Sequence, residues 1–324
     1  MEQGREKIHA TRRTLYIPAL IVAAVSVACA AAVLAISREA EATFPGKNGR
    51  IAYQGHDGND YEIYTINPTS GDKFQVTNND TDDHTPSYSP SGERIAYAHY
   101  DGNDYEIYTI NASGGGKRKV TNNSSRHDGS PSYSPSGKRI AYVASALRSN
   151  GDDAEIYTIK VGGRDRFRVT NNDTYDDAPD YSPDGKRIAY QAFNGRPLEI
   201  YTIKARGGDK LRLTNNDTYD SAPSYSPDGK RIAYMARDES ESGISTMKVG
   251  GGDKTNLSNN DNDSYDDFGP EYSPNGKKIV FATYNDGPTW LSTINVDGSN
   301  ETEITERDPD SVNSDFEAPS WGSQ

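Results

Sequence analysis

Tyr181-Ser-Pro-Asp-Gly-Lys-Arg-Ile-Ala-Tyr190 decides how this chain is read, because close variants of it recur at 88–97, 133–142, 225–234 and 272–281. Taken from Ile95, Ile140, Ile188, Ile232 and Ile279, the spacing is 44 to 48 residues, the period of a repeat architecture. Within the block, Ser-Pro-Asp-Gly is turn chemistry: Pro presets φ and Gly supplies the permissive position. The Arg-Ile-Ala-Tyr that follows alternates at period two, as a strand does.

Working outward, each unit reads as four short strands. Strand A is Ala222-Pro-Ser-Tyr225 in its cleanest copy, and strand B is the Arg-Ile-Ala-Tyr run. Strand C is Glu-Ile-Tyr-Thr-Ile at 62–66, 106–110, 155–159 and 199–203, with altered copies at 243–247 and 290–294. Strand D is expected to end in Val76-Thr77, Val169-Thr170 or Leu213-Thr214. B strands start near Ile51, Ile95, Ile140, Ile188, Ile232 and Ile279, and A strands end at Tyr88, Tyr133, Tyr181, Tyr225, Tyr272 and Trp321. Both series give six. The region therefore opens on B-C-D and closes on a lone A strand, Ala318-Pro-Ser-Trp321. Pairing the last strand with the first three removes the free edge and predicts an all-β fold, a closed six-bladed β-propeller of four-stranded antiparallel blades.

The Ser-Pro-Asp-Gly-Lys-Arg-Ile-Ala-Tyr blocks with Glu-Ile-Tyr downstream resemble the WD-like propeller repeats of the TolB family, over residues 44–324. The resemblance implies an envelope propeller that binds or scaffolds protein. It speaks to fold more than to activity, because this repeat type serves many roles. The α/β domain that precedes the propeller in TolB has no counterpart in residues 1–43, where an apolar run lies instead.

That run, 15–36, holds 22 residues without a formal charge. As a helix it would extend roughly 33 Å, enough to cross a bilayer. Arg5, Lys7, Arg12 and Arg13 precede it, so the positive-inside rule leaves 1–14 as a short cytoplasmic tail and puts the propeller outside. Residues 37–43 are the linker. A single-pass signal anchor is one reading; the other is a secreted or periplasmic protein cleaved near Ala42, after the small-x-small sequence Ala40-Glu41-Ala42. Cys29 is the sole cysteine and lies in this run, so no intramolecular disulfide forms.

A net charge of −13 argues against nucleic acid as a partner. Its distribution is more informative. In an antiparallel blade the D–A and B–C loops emerge at one end and the A–B and C–D turns at the other. The first end gathers Asp57, Asp60, Asp82, Asp83, Asp101, Asp104, Asp152, Asp153, Asp176, Asp177, Asp220, Asp266 and Asp267, with Tyr175, Tyr219 and Tyr265 among them. The second gathers Lys138, Arg139, Lys186, Arg187, Lys230, Arg231, Lys277 and Lys278. Lys117, Arg118, Lys119, Arg164, Arg166, Arg168, Lys210 and Arg212 are expected there too. The chain enters the propeller at the basic end, so that end is expected to face anionic lipid and the acidic face to point outward, toward a protein or peptide ligand.

Asp-Gly-Asn-Asp at 57–60 and 101–104 is compatible with Ca²⁺, though the EF-hand pattern is absent and TolB-like repeats carry such turns without a metal. No other cofactor is expected. The three tyrosines either stack on a ligand or pack between blades. His56, His84 and His127 fall on loops of the acidic end and His99 leads into one. There is no Gly-x-Ser-x-Gly elbow and no catalytic set. The expectation is a monomeric, non-catalytic binding propeller; the alternative is a glycan- or lactone-active enzyme working in the central funnel.

Overall fold

The structure, a computed structural model, describes residues 46–146, 154–193, 197–237, 242–258, 265–285, 289–305 and 319–324. The apolar run 15–36, with the tail and the linker around it, lies outside the described residues, as do Asp152 and Asp153. No helix among the described residues is long and apolar enough to cross a membrane.

All described elements are β. The first set joins the C-terminal strand Ser320–Ser323 to Asn48–His56, Tyr61–Ile66 and Lys73–Gln75. The second runs Asp83–Tyr88, Arg94–Tyr100, Tyr105–Asn111 and Arg118–Lys119, all antiparallel, and the same A-B-C-D order repeats through the chain. The eight strands from Tyr219–Tyr225 to Thr302–Glu303 form one ladder only because Ser242 pairs in parallel with Asp266; without that contact they separate into two such sets. Closure follows the sequence expectation: Ile51 pairs with Trp321 and Ala52 with Ser320. The chain is a β-propeller.

Period-two alternation explains how the sets stack. In Arg-Ile-Ala-Tyr the Ile and Tyr face the preceding set, and the Ala between them faces the following one. Thus Ile95 and Tyr97 pack on Ala52, Ile63 and Val76, while Ala96 packs with Ile140 and Tyr142 of the next set. A large-residue face meets a small-residue face, the complementarity that close packing needs. The same arrangement joins the last set to the first, where Val280, Ala282 and Leu291 pack on Ile51, Tyr53 and Trp321.

A second closure runs around the axis. In each A strand the residue after the proline accepts a backbone N–H from the next A strand. Ser87 accepts from Tyr133 at 3.4 Å, Ser132 from Tyr181 at 3.4 Å and Asp180 from Tyr225 at 2.7 Å. Ser224 accepts from Tyr272 at 3.3 Å, Glu271 from Trp321 at 3.1 Å and Ser320 from Tyr88 at 3.0 Å. These strands line a channel of about 190 Å³.

The D strands are shorter than expected. Arg118–Lys119 and its counterparts stop before the Val-Thr or Leu-Thr pair. The threonine serves instead as an anchor: Thr77 Oγ1 accepts the Ile63 N–H at 2.8 Å, and Thr121, Thr170 and Thr214 do the same in later sets.

Candidate functional site

The acidic residues divide by environment into groups that the sequence does not separate. Asp83, Asp176, Asp220 and Asp267 are buried, as is Asp128, which the sequence reading missed. Asp83, Asp128, Asp176 and Asp220 are latches between sets, while Asp267 accepts from Thr283 Oγ1 of its own set at 2.8 Å. Asn216 Nδ2 donates to Asp220 at 3.0 Å while the Asn216 N–H donates to Glu199 at 3.0 Å, tying a C strand to the next A strand. Asn172 links Glu155 to Asp176 in the same way, Asn123 links Glu106 to Asp128, and Asn79 links Glu62 to Asp83. Burial pushes Asp128 and Glu62 each up to about 7, and raises Asp176 and Asp220 as well. Asp83, Asp176, Asp220 and Asp267 are therefore corrected from partner-binding groups to structure, because a side chain with almost no exposed surface cannot meet a protein or peptide in solution. The residue directly before the proline adopts positive φ in five A strands, Thr85, Ser130, Ala178, Ala222 and Gly269, at 47° to 62°. Only the last is free of the Cβ penalty. The strand breaks register at each of them, and all five line the channel mouth.

Asp82 and Asp266 act as caps. Asp82 Oδ1 accepts the Tyr61 N–H at 3.1 Å, and Asp266 Oδ1 accepts the Ser242 N–H at 3.2 Å. Tyr175 is half-buried and donates its hydroxyl to Asp177 at 2.5 Å; Asp177 also accepts from Ser130 Oγ at 3.0 Å. Tyr219 is 48% exposed and available to a ligand. Tyr265 starts its strand, and its side chain lies outside what is described. Asp57 is exposed and Asp101 half-buried, whereas Asp60 and Asp104 are buried with both carboxylate oxygens unpartnered.

The basic end needs a similar correction. Arg139, Arg187 and Arg231 are half-buried and pinned: each bonds a C-strand threonine and pairs with Asp165, Asp209 or Asp253 at 2.7 to 2.9 Å. Those pairs hold the three aspartates below the usual carboxylate range. Lys138, Lys186, Lys230 and Lys277 are exposed, and Lys278 is half-buried. Lys186 and Lys230 sit beside Asp184 and Asp228 of their own turns, at 3.6 and 3.2 Å. Several D-strand cations leave this end altogether. Arg168 and Arg212 reach Glu155 and Glu199 at 2.7 and 2.6 Å, and Lys117, Arg166 and Lys210 lie over the rings of Tyr108, Tyr157 and Tyr201 at 4.1 to 4.9 Å.

The feature that breaks the repeat is aromatic. His56, Tyr61, His84, Tyr105 and His127 follow one another across three sets, with consecutive ring centroids 5.0 to 5.6 Å apart. Burial lowers His84 below its ordinary value, so its ring is neutral at neutral pH. Tyr105 is pushed up to about 12 by burial and by Asp82. A hollow of about 200 Å³ beside His84, Tyr105 and His127 shares Thr85 and Ser130 with the mouth of the channel, a cavity of about 510 Å³. That mouth is less acidic than its rim: Met235, Phe268 and Tyr284 line it, with Arg237 and Asp266 as its charges. The arc was missed because only its two tyrosines share a repeat position, while the three histidines that join them sit at unrelated ones. The tyrosines open C strands, where later sets carry Ala154, Leu198 and Ser242.

The channel holds two carboxyls at positions that are otherwise serine. Burial pushes Asp180 up to about 7 and Glu271 up to about 8, the latter with repulsion from Asp180.

Comparison with known proteins places this geometry. The model of the TolB beta propeller domain matches residues 44–324. A structure of TolB from Acinetobacter baumannii superposes with a TM-score of 0.72 at 26% identity, covering 96% of this chain and 75% of that one. A putative TolB from Agrobacterium tumefaciens gives 0.64 at 22% identity, covering 79% and 88%. A chain of a nidogen/laminin complex gives 0.68 at 9% identity, covering 84% and 98%, a likeness of fold alone. No curated protein sequence matches the chain.

Proposed function

Because the chain belongs to the TolB beta propeller family, we propose that it is a six-bladed, non-catalytic binding propeller of the cell envelope that takes a protein or peptide segment on its acidic loop face. The observation that carries the reading is the His56–Tyr61–His84–Tyr105–His127 arc beside the open channel mouth. Aromatic rings with polar edges give large contact area at small entropic cost, which suits a peptide lying across several blades. The propeller sits outside the cytoplasm, tethered through 15–36, and acts as a monomer.

An enzymatic reading would draw on Asp180 and Glu271, the carboxyls in the channel. Each already accepts a backbone N–H from the next set, the task serine performs at the other positions. That favours a structural role for them and binding as the activity.

The test is site-directed photo-crosslinking of the full chain in envelope preparations. A photoreactive residue in place of Tyr105 or Tyr219 should yield a defined adduct, and one in place of Lys230, at the opposite end, should not. Equal adducts from both ends would overturn the reading.

A further inference from the structure

Asp57-Gly-Asn-Asp-Tyr-Glu62 and Asp101-Gly-Asn-Asp-Tyr-Glu106 are the same turn in the first two sets. In each, one oxygen from each of the three carboxylates lies within 4.8 Å of the others. Two oxygens on opposite sides of one Ca²⁺, each at about 2.4 Å, stand about 4.8 Å apart, so the spacing fits a single ion.

Acidic turns are common without an ion, and spacing alone would carry nothing. The second observation is the state of the middle carboxylate. Asp60 is 8% exposed and Asp104 1% exposed, and both oxygens of each are buried with no hydrogen-bond partner. A buried carboxylate with neither donor nor cation is costly enough that proteins almost always supply one. Its neighbours here are further carboxylates: Asp57 and Glu62 around Asp60, Asp101 and Glu106 around Asp104.

The rest of the propeller shows how this charge is balanced elsewhere. Arg168 reaches Glu155 and Arg212 reaches Glu199 from the D strand. At the equivalent position the second set has Lys119, 2.8 Å from Asp101 and 3.6 Å from Glu106, and the first set has neutral Gln75. The third set also has an aspartate at the position of Asp60 and Asp104, Asp153, but there Arg168 supplies the charge; the first two sets have the aspartate without the guanidinium.

We propose that Asp57, Asp60 and Glu62 bind a Ca²⁺ ion, and that Asp101, Asp104 and Glu106 form a weaker second site at which Lys119 competes with the ion. Hard carboxylate oxygens in an irregular turn suit Ca²⁺, which tolerates variable geometry and takes water for its remaining ligands. Tyr61 and Tyr105 follow the two middle aspartates, so an ion held there would tie both turns of the aromatic arc to their blades.

The experiment is calorimetric titration of the chelator-treated full chain, in mild detergent, with Ca²⁺ alone, alongside thermal melting. The parent should bind two ions with different affinities, and its melting temperature should rise by about 5 °C at a hundredfold excess over Kd. D60N should remove the tighter site and D104N the weaker one. K119Q should tighten the weaker site by about two- to fivefold, the scale of one relieved charge contact. Without Ca²⁺, D60N should melt no lower than the parent, since it relieves an unpaired charge; this separates lost binding from lost fold. Absence of saturable binding, binding that D60N and D104N leave intact, or a K119Q variant that binds no better would each overturn the corresponding site.

Discussion

The backbone N–H of Tyr88 donates to Ser320 Oγ at 3.0 Å across 232 residues of sequence, the same contact that neighbouring A strands make elsewhere in the channel. With the Ile51–Trp321 pairing it makes the C-terminal strand a structural member of the first set. Trp321 is 3% exposed, packs among Ile51, Tyr53 and Leu291, and donates its indole N–H to the Gly49 carbonyl at 3.3 Å. W321A is expected to cost about 3–5 kcal/mol, measured by urea unfolding. An unchanged midpoint would mean that the ring holds without its last strand.

The latches give a second expectation. N216A removes the amide donor of the buried Asp220 carboxyl, while the backbone N–H of residue 216 still reaches Glu199. The loss should be about 1–3 kcal/mol. Because Arg212 still holds Glu199, a companion R212M/N216A should lose more than either single variant, and strict additivity would argue against a shared network.

Stability should depend on pH through the channel carboxyls. Asp180 and Glu271 have folded-state values raised to about 7 and about 8, so the folded protein binds more protons than the unfolded chain above about pH 4. Their contribution is complete below that point and is lost as pH rises through 7 to 8. Channel water screens part of the effect, and the drop between about pH 5 and about pH 9 should be on the order of 1–3 kcal/mol. D180S/E271S, which restores the serine of the other positions, should shrink that slope, the remainder belonging to Glu62 and Asp128. Melting curves across the range decide it; an unchanged slope would exclude the pair as its source.

At the basic end, the exposed lysines and the pinned arginines should behave differently. Replacing Lys138, Lys186, Lys230 and Lys277 with Gln in a 44–324 fragment should weaken binding to anionic vesicles by about 10²–10³-fold at low salt, at about 1 kcal/mol per lysine. Replacing Arg139, Arg187 and Arg231 should instead lower the melting temperature, because each ties an A–B turn to a C–D turn. Vesicle binding insensitive to the lysines would remove the membrane-facing role from this end.

Much of the fold was legible because it is written locally and repeatedly. Pro and Gly mark the turn, alternation gives strand B its two faces, and Ala318-Pro-Ser-Trp321 matches the internal A strands closely enough to reveal the closure. The candidate site was harder to read. Asp83 and Asp57 look alike in sequence, yet one is sealed under a loop and the other is exposed, because burial depends on which neighbouring set covers the residue. Arg168 looked like a basic-end residue, but its side chain runs along strand D to the other end. The aromatic arc brings positions 56, 61, 84, 105 and 127 together only when three units stack.

The hydrogen bonds around the channel all run in one sense, each A strand accepting from its successor, and the Gln324 N–H meets the Lys47 carbonyl at 2.9 Å where the described chain enters and leaves. A ring of this kind has no intrinsic first member. Fusing residue 324 to residue 46 through a short linker and reopening the chain in any D–A loop would leave every donor with its acceptor. The present order of the units is one of several circular permutants that the same set of contacts would specify.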